Sequence, residues 1–215
     1  MADEAPKPPA AAPAPAAPAA PKPAPAAKAP AGPAGTDASA KPLVVAIANA
    51  VPGAVVAARE YVKETTVEIA LDKIVEVCRY LKDKESFIFL VDLTAVDWKE
   101  RVPRFDVVYW LHSFDRGNER VRLRVKVKDG AACPAVTGVF STANWMEREV
   151  FDLFGITFEG HPDMRRILTW DGFQGHPLRK DFPVEGIDTG AAIYPDRYPD
   201  GGGPAASDKN RKVVS

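Results

Sequence analysis

Residues 104–128 read RFDVVYWLHSFDRGNERVRLRVKVK, two alternating runs around a turn. In the first run Phe105, Val107, Tyr109 and Leu111 share one parity. In the second, Val121, Leu123, Val125 and Val127 stand against Arg120, Arg122, Arg124, Lys126 and Lys128. A period of two sends the sets to opposite faces of a strand. Asp115-Arg116-Gly117-Asn118 between them is turn-forming, so the segment is an antiparallel hairpin with one apolar and one basic face. A Lys- and Arg-rich outer face is the usual protection of an exposed or edge strand. An RNA-binding sheet would carry stacking aromatics in that row, and the row has none.

Upstream of the hairpin, residues 87–93 (FIFLVDL) are apolar on both parities except Asp92, which predicts a central strand covered on both faces. Leu71, Ile74, Val77, Cys78 and Leu81 follow the spacing of a helix with one buried side. Residues 67–70 are expected to form a first strand, and residues 43–51 a short helix closed by Pro52-Gly53. The predicted fold is α+β: a mainly antiparallel sheet with helices on one face, followed by an extended C-terminal segment rich in charge.

The folding part is shorter than the 215-residue chain. Residues 1–42 are nearly all Ala and Pro, with no aromatic, Leu, Ile or Val, and are expected to be a disordered arm. That arm has no apolar h-region and no Arg, which argues against a signal peptide or a mitochondrial presequence. Residues 188–215 are expected to be a flexible tail, leaving 43–187 as the domain. No apolar run is long enough to span a bilayer. Cys78 and Cys133 lack the spacing of a disulfide framework or zinc site, and the net charge of −1 argues against a dedicated nucleic-acid binder.

Function is sought in residues 144–183, NWMEREVFDLFGITFEGHPDMRRILTWDGFQGHPLRKDFP. Asn144 and Glu147 have the spacing of a capping box, and Gly155 that of a helix-terminating glycine. On the helix between them Met146, Val150, Leu153 and Phe154 form the apolar side, and Arg148 and Asp152 are spaced as an ion pair. Glu147, Glu149 and Asp152 invite an acid/base reading, but acids in an early helical turn also complement the helix dipole, and 147 and 149 lie on opposite faces. His161 and His176, each in a Gly-His-Pro step and near Asp163 and Asp181, are metal-capable. Without HExxH-type spacing, they are expected instead to fix irregular loops by hydrogen bonds. Arg165, Arg166, Arg179 and Lys180 lack a phosphate loop. Alternating with Asp163, Asp171 and Asp181, they suggest a mixed-charge contact surface whose aromatic anchors would be Trp170, Phe173 and Phe182.

The run Glu147-Arg148-Glu149, Asp152, Leu153-Phe154-Gly155-Ile156, His161-Pro162, Arg165-Arg166-Ile167-Leu168 and His176-Pro177-Leu178-Arg179-Lys180-Asp181 resembles the signature of the 30-kDa subunit family of respiratory complex I. The likeness extends loosely back through Val91-Asp92-Leu93-Thr94 and Val96-Asp97 to about Val67. It implies an α/β domain and a cofactor-free structural subunit in the peripheral arm of a proton-translocating NADH:quinone oxidoreductase. FMN, iron–sulfur clusters and quinone would then sit in partner subunits. The implied partners are the quinone-site 49-kDa-type subunit and neighbouring iron–sulfur subunits, on the cytoplasmic side of a bacterial inner membrane. The subunit interface it implies comprises Glu147, Arg148, Glu149, Asp152, His161, Asp163, Arg165, Arg166, His176, Arg179, Lys180 and Asp181. Related membrane-bound hydrogenases and other-donor dehydrogenases carry similar subunits. A metal-dependent hydrolase and an RNA-binding module are the readings from other classes.

Overall fold

A computed structural model describes residues 35–170 and 172–186, so most of the expected N-terminal arm, the expected tail and Asp171 lie outside the described residues. The elements run β1 (Thr36–Asp37), α1 (Pro42–Ala50), β2 (Val55–Tyr61), β3 (Glu64–Ile69), a 3-10 turn (Leu71–Lys73) and α2 (Ile74–Lys84). They continue with β4 (Phe89–Asp97), β5 (Phe105–Ser113), β6 (Glu119–Val127), β7 (Cys133–Pro134), α3 (Ala143–Phe154) and β8 (Phe158–Glu159). Six strands form one sheet in the order β1-β2-β3-β6-β5-β4, antiparallel except for the central β3–β6 pair, and β7 and β8 form a small parallel ladder beside it. The fold is the expected α+β type with a mainly antiparallel sheet.

The 104–128 hairpin forms as its alternation requires, with Phe105 opposite Val127 and Leu111 opposite Val121. Its apolar parity is buried together with Leu90 and Leu93 of β4 and Val67 and Ile69 of β3. The helices close over this side of the sheet: Leu43, Val44 and Ile47 from α1, Ile74, Val77, Cys78 and Leu81 from α2, and Ala143, Val150 and Phe154 from α3. The basic parity faces outward, but β6 is no edge strand. It lies between β3 and β5, and its basic side chains meet acids on β3: Arg122 pairs with Glu64, Arg124 and Lys126 with Glu68.

Two further expectations need correction. The strand foreseen in residues 87–93 is β4, the sheet's edge strand, buried on alternate residues only; a bulge between Leu90 and Asp92 turns both Val91 and Asp92 outward. Its FIFLV run is therefore apolar because one side is core and the other an exposed apolar surface. At the other edge the folded part begins before residue 43. Thr36 and Asp37 pair with Glu60 and Arg59, and Ala38 is buried in the core.

Strand β2 is not signalled by the sequence pattern. It joins β3 through Val62-Lys63, with Tyr61 opposite Glu64, and both loop residues have positive φ, 50° and 64°. Two-residue hairpin loops need such angles, which Asn-Gly adopts readily and a β-branched residue resists. The usual hairpin signal is thus missing from a hairpin that forms regardless. Replacing Val62-Lys63 by Asn-Gly is expected to stabilise the chain by about 1 kcal/mol, raising Tm by about 2–4 °C. A calorimetric scan checks this. A chain starting at residue 41, compared with one starting at residue 35, is expected to lose about 2 kcal/mol in urea unfolding, since it lacks β1 and buried Ala38.

Candidate functional site

Helix α3 presents two acids to the protein interior, Glu147 and Asp152, both with fully buried side chains. Burying a carboxylate is unfavourable unless it is paired or hydrogen-bonded. Each of these two is satisfied by a different irregular stretch of backbone.

Glu147 accepts from the Val136 amide and from the Thr137 hydroxyl, both at 2.6 Å. Glu147 is therefore neither the reciprocal half of a capping box nor a simple dipole complement. The helix starts one residue before Asn144, and its cap residue Thr142 makes no side-chain cap bond. Burial pushes the Glu147 carboxyl above its usual range, against the pull of Thr137, Val136 and His161. The His161 ring lies 3.9 Å away, its Nδ1 accepting from the Asp163 amide and its Nε2–H donating to the Asn144 carbonyl at 3.1 Å. That tautomer makes His161 a buried pin between the helix start and the following loop.

Asp152 binds its surroundings more completely. Oδ2 accepts the amides of Ile167, Leu168 and Thr169 at 3.0, 2.8 and 2.8 Å, while Oδ1 accepts Arg166 Nη1 at 2.7 Å and the Thr169 hydroxyl. Three successive amides form a concavity suited to an anion. Burial works against ionisation here, but the Thr169 hydroxyl and the three amides outweigh it and hold Asp152 well below the usual carboxylate range. Arg166 also reaches the Gly175 carbonyl, and His176 Nδ1 bonds the Asp152 carbonyl at 2.8 Å. The expected Arg148–Asp152 ion pair is absent because Arg166 holds that position. Arg148 instead donates to the carbonyls of Arg165 and Arg166 and stacks on Trp145. Gly155 ends the helix as foreseen, at φ 74°, and a Cβ there would lie 2.5 Å from His176 Nε2.

The remaining motif residues meet a second hub that the sequence pattern does not reveal, Arg104 at the end of the sheet. It donates to Asp97 at 2.7 Å, Asp181 at 2.8 Å and Asp129 at 3.0 Å. Arg179 pairs with Asp129 and donates to the Phe154 carbonyl, and the Lys180 amide donates to Asp97. Burial opposes the charge on Asp97, but Arg104 and the Lys180 amide lower its pKa; Asp181 is lowered chiefly by Arg104. The partners of Arg104 lie up to 77 residues away in the chain, so no local spacing could have announced it. The structure thus gathers Asp152, Arg166 and His176 at one hub and Arg179, Lys180 and Asp181 at the other. Glu147 and His161 sit at the helix start. Asp163 and Arg165 form an exposed local pair, and Glu149 is exposed. Phe173 stacks on Phe182 and meets Trp170 edge-on, so the three aromatics pack within the segment. Trp145, Leu168 and Leu178 are left exposed, Trp145 and Leu168 each at 63 %. No three His, Cys, Asp or Glu among the described residues form a group able to hold a metal ion.

Asp152→Asn removes the charge opposite Arg166 and is expected to destabilise the chain by about 3–5 kcal/mol at pH 7. A depressed folded-state pKa contributes stability above the unfolded value of about 3.9, and loses it as pH falls through the folded value. The gap between native chain and variant in urea unfolding should therefore be full at pH 7 and shrink once the pH drops below about 4.

The family model described as respiratory-chain NADH dehydrogenase, 30 Kd subunit, matches residues 67–188, which take in both hubs. A subunit of the NADH-quinone oxidoreductase of Rhodobacter capsulatus is 48 % identical over 67 % of this chain and 73 % of its own length. The subunit of the same name in Paramagnetospirillum magneticum is 53 % identical over 57 % of this chain, a match spanning 62 % of that protein. Among solved structures, a chain of the membrane-bound sulfane sulfur reductase, an archaeal respiratory membrane complex, superposes with a TM-score of 0.56 at 27 % identity, covering 66 % of this chain and 84 % of that one. By sequence, this chain belongs to the respiratory-chain NADH dehydrogenase 30-kDa subunit family.

Proposed function

We propose that this chain is a structural subunit in the peripheral arm of a proton-translocating NADH:quinone oxidoreductase, supporting the quinone-reducing module. In this reading electrons pass through FMN and iron–sulfur clusters in other subunits, and the isolated chain is not catalytic. One observation carries the structural role: the groups best suited to acid/base work are already engaged in holding backbone. Both oxygens of Asp152, both oxygens of Glu147 and both ring nitrogens of His161 are engaged within the chain. The motif then acts by stiffening residues 160–186 into a contact region, to which Trp145, Leu168 and Leu178 contribute exposed apolar side chains and Arg165 and Lys180 exposed cations. The proposed neighbours across that region are the quinone-site 49-kDa-type subunit and iron–sulfur subunits.

No helix among the described residues is long and apolar enough to cross a membrane. Attachment to the cytoplasmic side of an inner membrane would then come through partner subunits. A second reading, the equivalent subunit of a related complex with another electron donor, is favoured by the likeness to the sulfane sulfur reductase chain.

Native gels of detergent-solubilised membranes, stained in-gel for NADH dehydrogenase activity, separate these readings. The chain should run in the NADH-oxidising band. Trp145→Asp with Leu168→Asp should deplete it from that band while shifting its own stability by less than about 1 kcal/mol. A fully assembled double variant that had lost quinone reduction would overturn the structural role, and a band without NADH oxidation would favour the second reading.

A further inference from the structure

The outward face of the sheet carries the basic column of β6, and three of its four side chains are neutralised by Glu64 and Glu68 of β3. The register sets Thr65 opposite Val121, which places Glu64 beside Arg120. Glu64 nevertheless reaches along the strand to Arg122 at 2.5 Å. Arg120 is left exposed, with no acid paired to it among the described residues.

Arg120 borders an aromatic corner. Across the ladder it faces His112, which faces Phe89, and the His112 ring lies 4.4 Å from that of Phe114. Phe114 is 55 % exposed and Phe89 44 %, and the two rings are 6.1 Å apart. Ile88 extends the patch, and the β4 bulge turns Val91 outward into it. His112 Nε2 is buried beneath the corner without a hydrogen-bond partner. Bulges near sheet edges re-aim side chains, and contiguous exposed apolar surface of this kind marks interaction sites. The opposite end of this face is covered, since Trp98 and Arg101 fold over it onto Asp106.

We propose that this corner is a second docking surface, taking a segment of a neighbouring protein subunit that presents an apolar side chain beside a carboxylate. The apolar side chain seats between Phe89 and Phe114, and the carboxylate pairs with Arg120. Exposed Asp92, on the β4 side of the corner, repels the same segment in the reverse orientation and so fixes its direction. Charge of this kind sets register, while the aromatic anchors carry affinity. The corner lies at the Phe89 end of β4, and the C-terminal segment is tied to Asp97 at the other end, about 25 Å away at the strand's rise per residue. The inference rests on the reading of this chain as a subunit of a complex, and it makes the sheet a spacer between two contacts.

The test is site-specific photocrosslinking in membranes of the native host, with p-benzoylphenylalanine in place of Phe114 or, separately, Leu168. Position 114 should capture another subunit through a peptide with an Asp or Glu beside an apolar residue. Arg120→Glu should lower that adduct about tenfold and leave the adduct at 168 unchanged. Substituting the probe at Phe89 repeats the measurement should the 114 variant fold poorly. Adducts to a second copy of this chain, to its own residues 1–34 or 187–215, or to the peptide captured from position 168 would each overturn the proposal. So would no adduct at either 89 or 114. An adduct to another subunit at 168 with none at the corner sinks this inference alone, whereas silence at both sites sinks the subunit reading as well.

Discussion

The Asp152 carboxylate is the interaction on which the C-terminal part of the molecule depends. Beyond β8, among the described residues, the chain has no helix and no strand, and Met164 is the one apolar residue there that packs against the buried core, so apolar burial does little to hold it. Its placement rests on polar bonds, the densest of which converge on one acid fixed in a helix that does belong to the core. A helix side chain is a good clamp because its backbone is already immobile, and the bonds need order only the irregular partner. The three amides and the Arg166 guanidinium then set the path of residues 166–169, and His176 brings the next turn back to the same point. Arg104 repeats the scheme with opposite sign, a cation at the sheet's end gathering acids from three segments.

Periodic features of the fold are legible in the sequence. The β5–β6 hairpin, the buried stripe of α2 and the glycine stop of α3 all follow from residue spacing, and tertiary packing agrees with it. The departures have specific causes. FIFLV reads as doubly covered because periodicity reports apolarity, and an exposed apolar surface reads like core. Strand β2 escapes notice because its turn uses Val62-Lys63. The N-terminal boundary falls too late because Thr36, Asp37 and Ala38 carry no strong signal, and only pairing with β2 recruits them.

The motif is legible as a place but not as an arrangement. Family resemblance and charge density both point to residues 147–181, yet neither says whether charges face a partner or one another. Glu147 and Asp152 are buried because each bonds to backbone amides, which are invisible to side-chain patterns. The partners that matter most, Asp97, Arg104 and Asp129, lie outside the motif, so their role emerges only once the sheet has brought them to its end. What such a motif specifies is therefore first the shape of its own chain, and through that shape whatever touches it.

The parallel pairing of β3 with β6 bears on how this chain is synthesised. β3 ends at Ile69 and β6 begins at Glu119, and the two make the central seam of the sheet. A chain emerging from the ribosome therefore holds a β1-β2-β3 half and a β4-β5 half that cannot join until the strand between them appears. Each half meanwhile has an open edge, and such edges invite pairing with other chains. The last strand to arrive is the most highly charged of the set, with Arg120, Arg122, Arg124 and Lys126 on one face. Its charge keeps that strand soluble while it is unpaired, and Glu64 and Glu68 across the seam neutralise Arg122, Arg124 and Lys126 once the sheet closes.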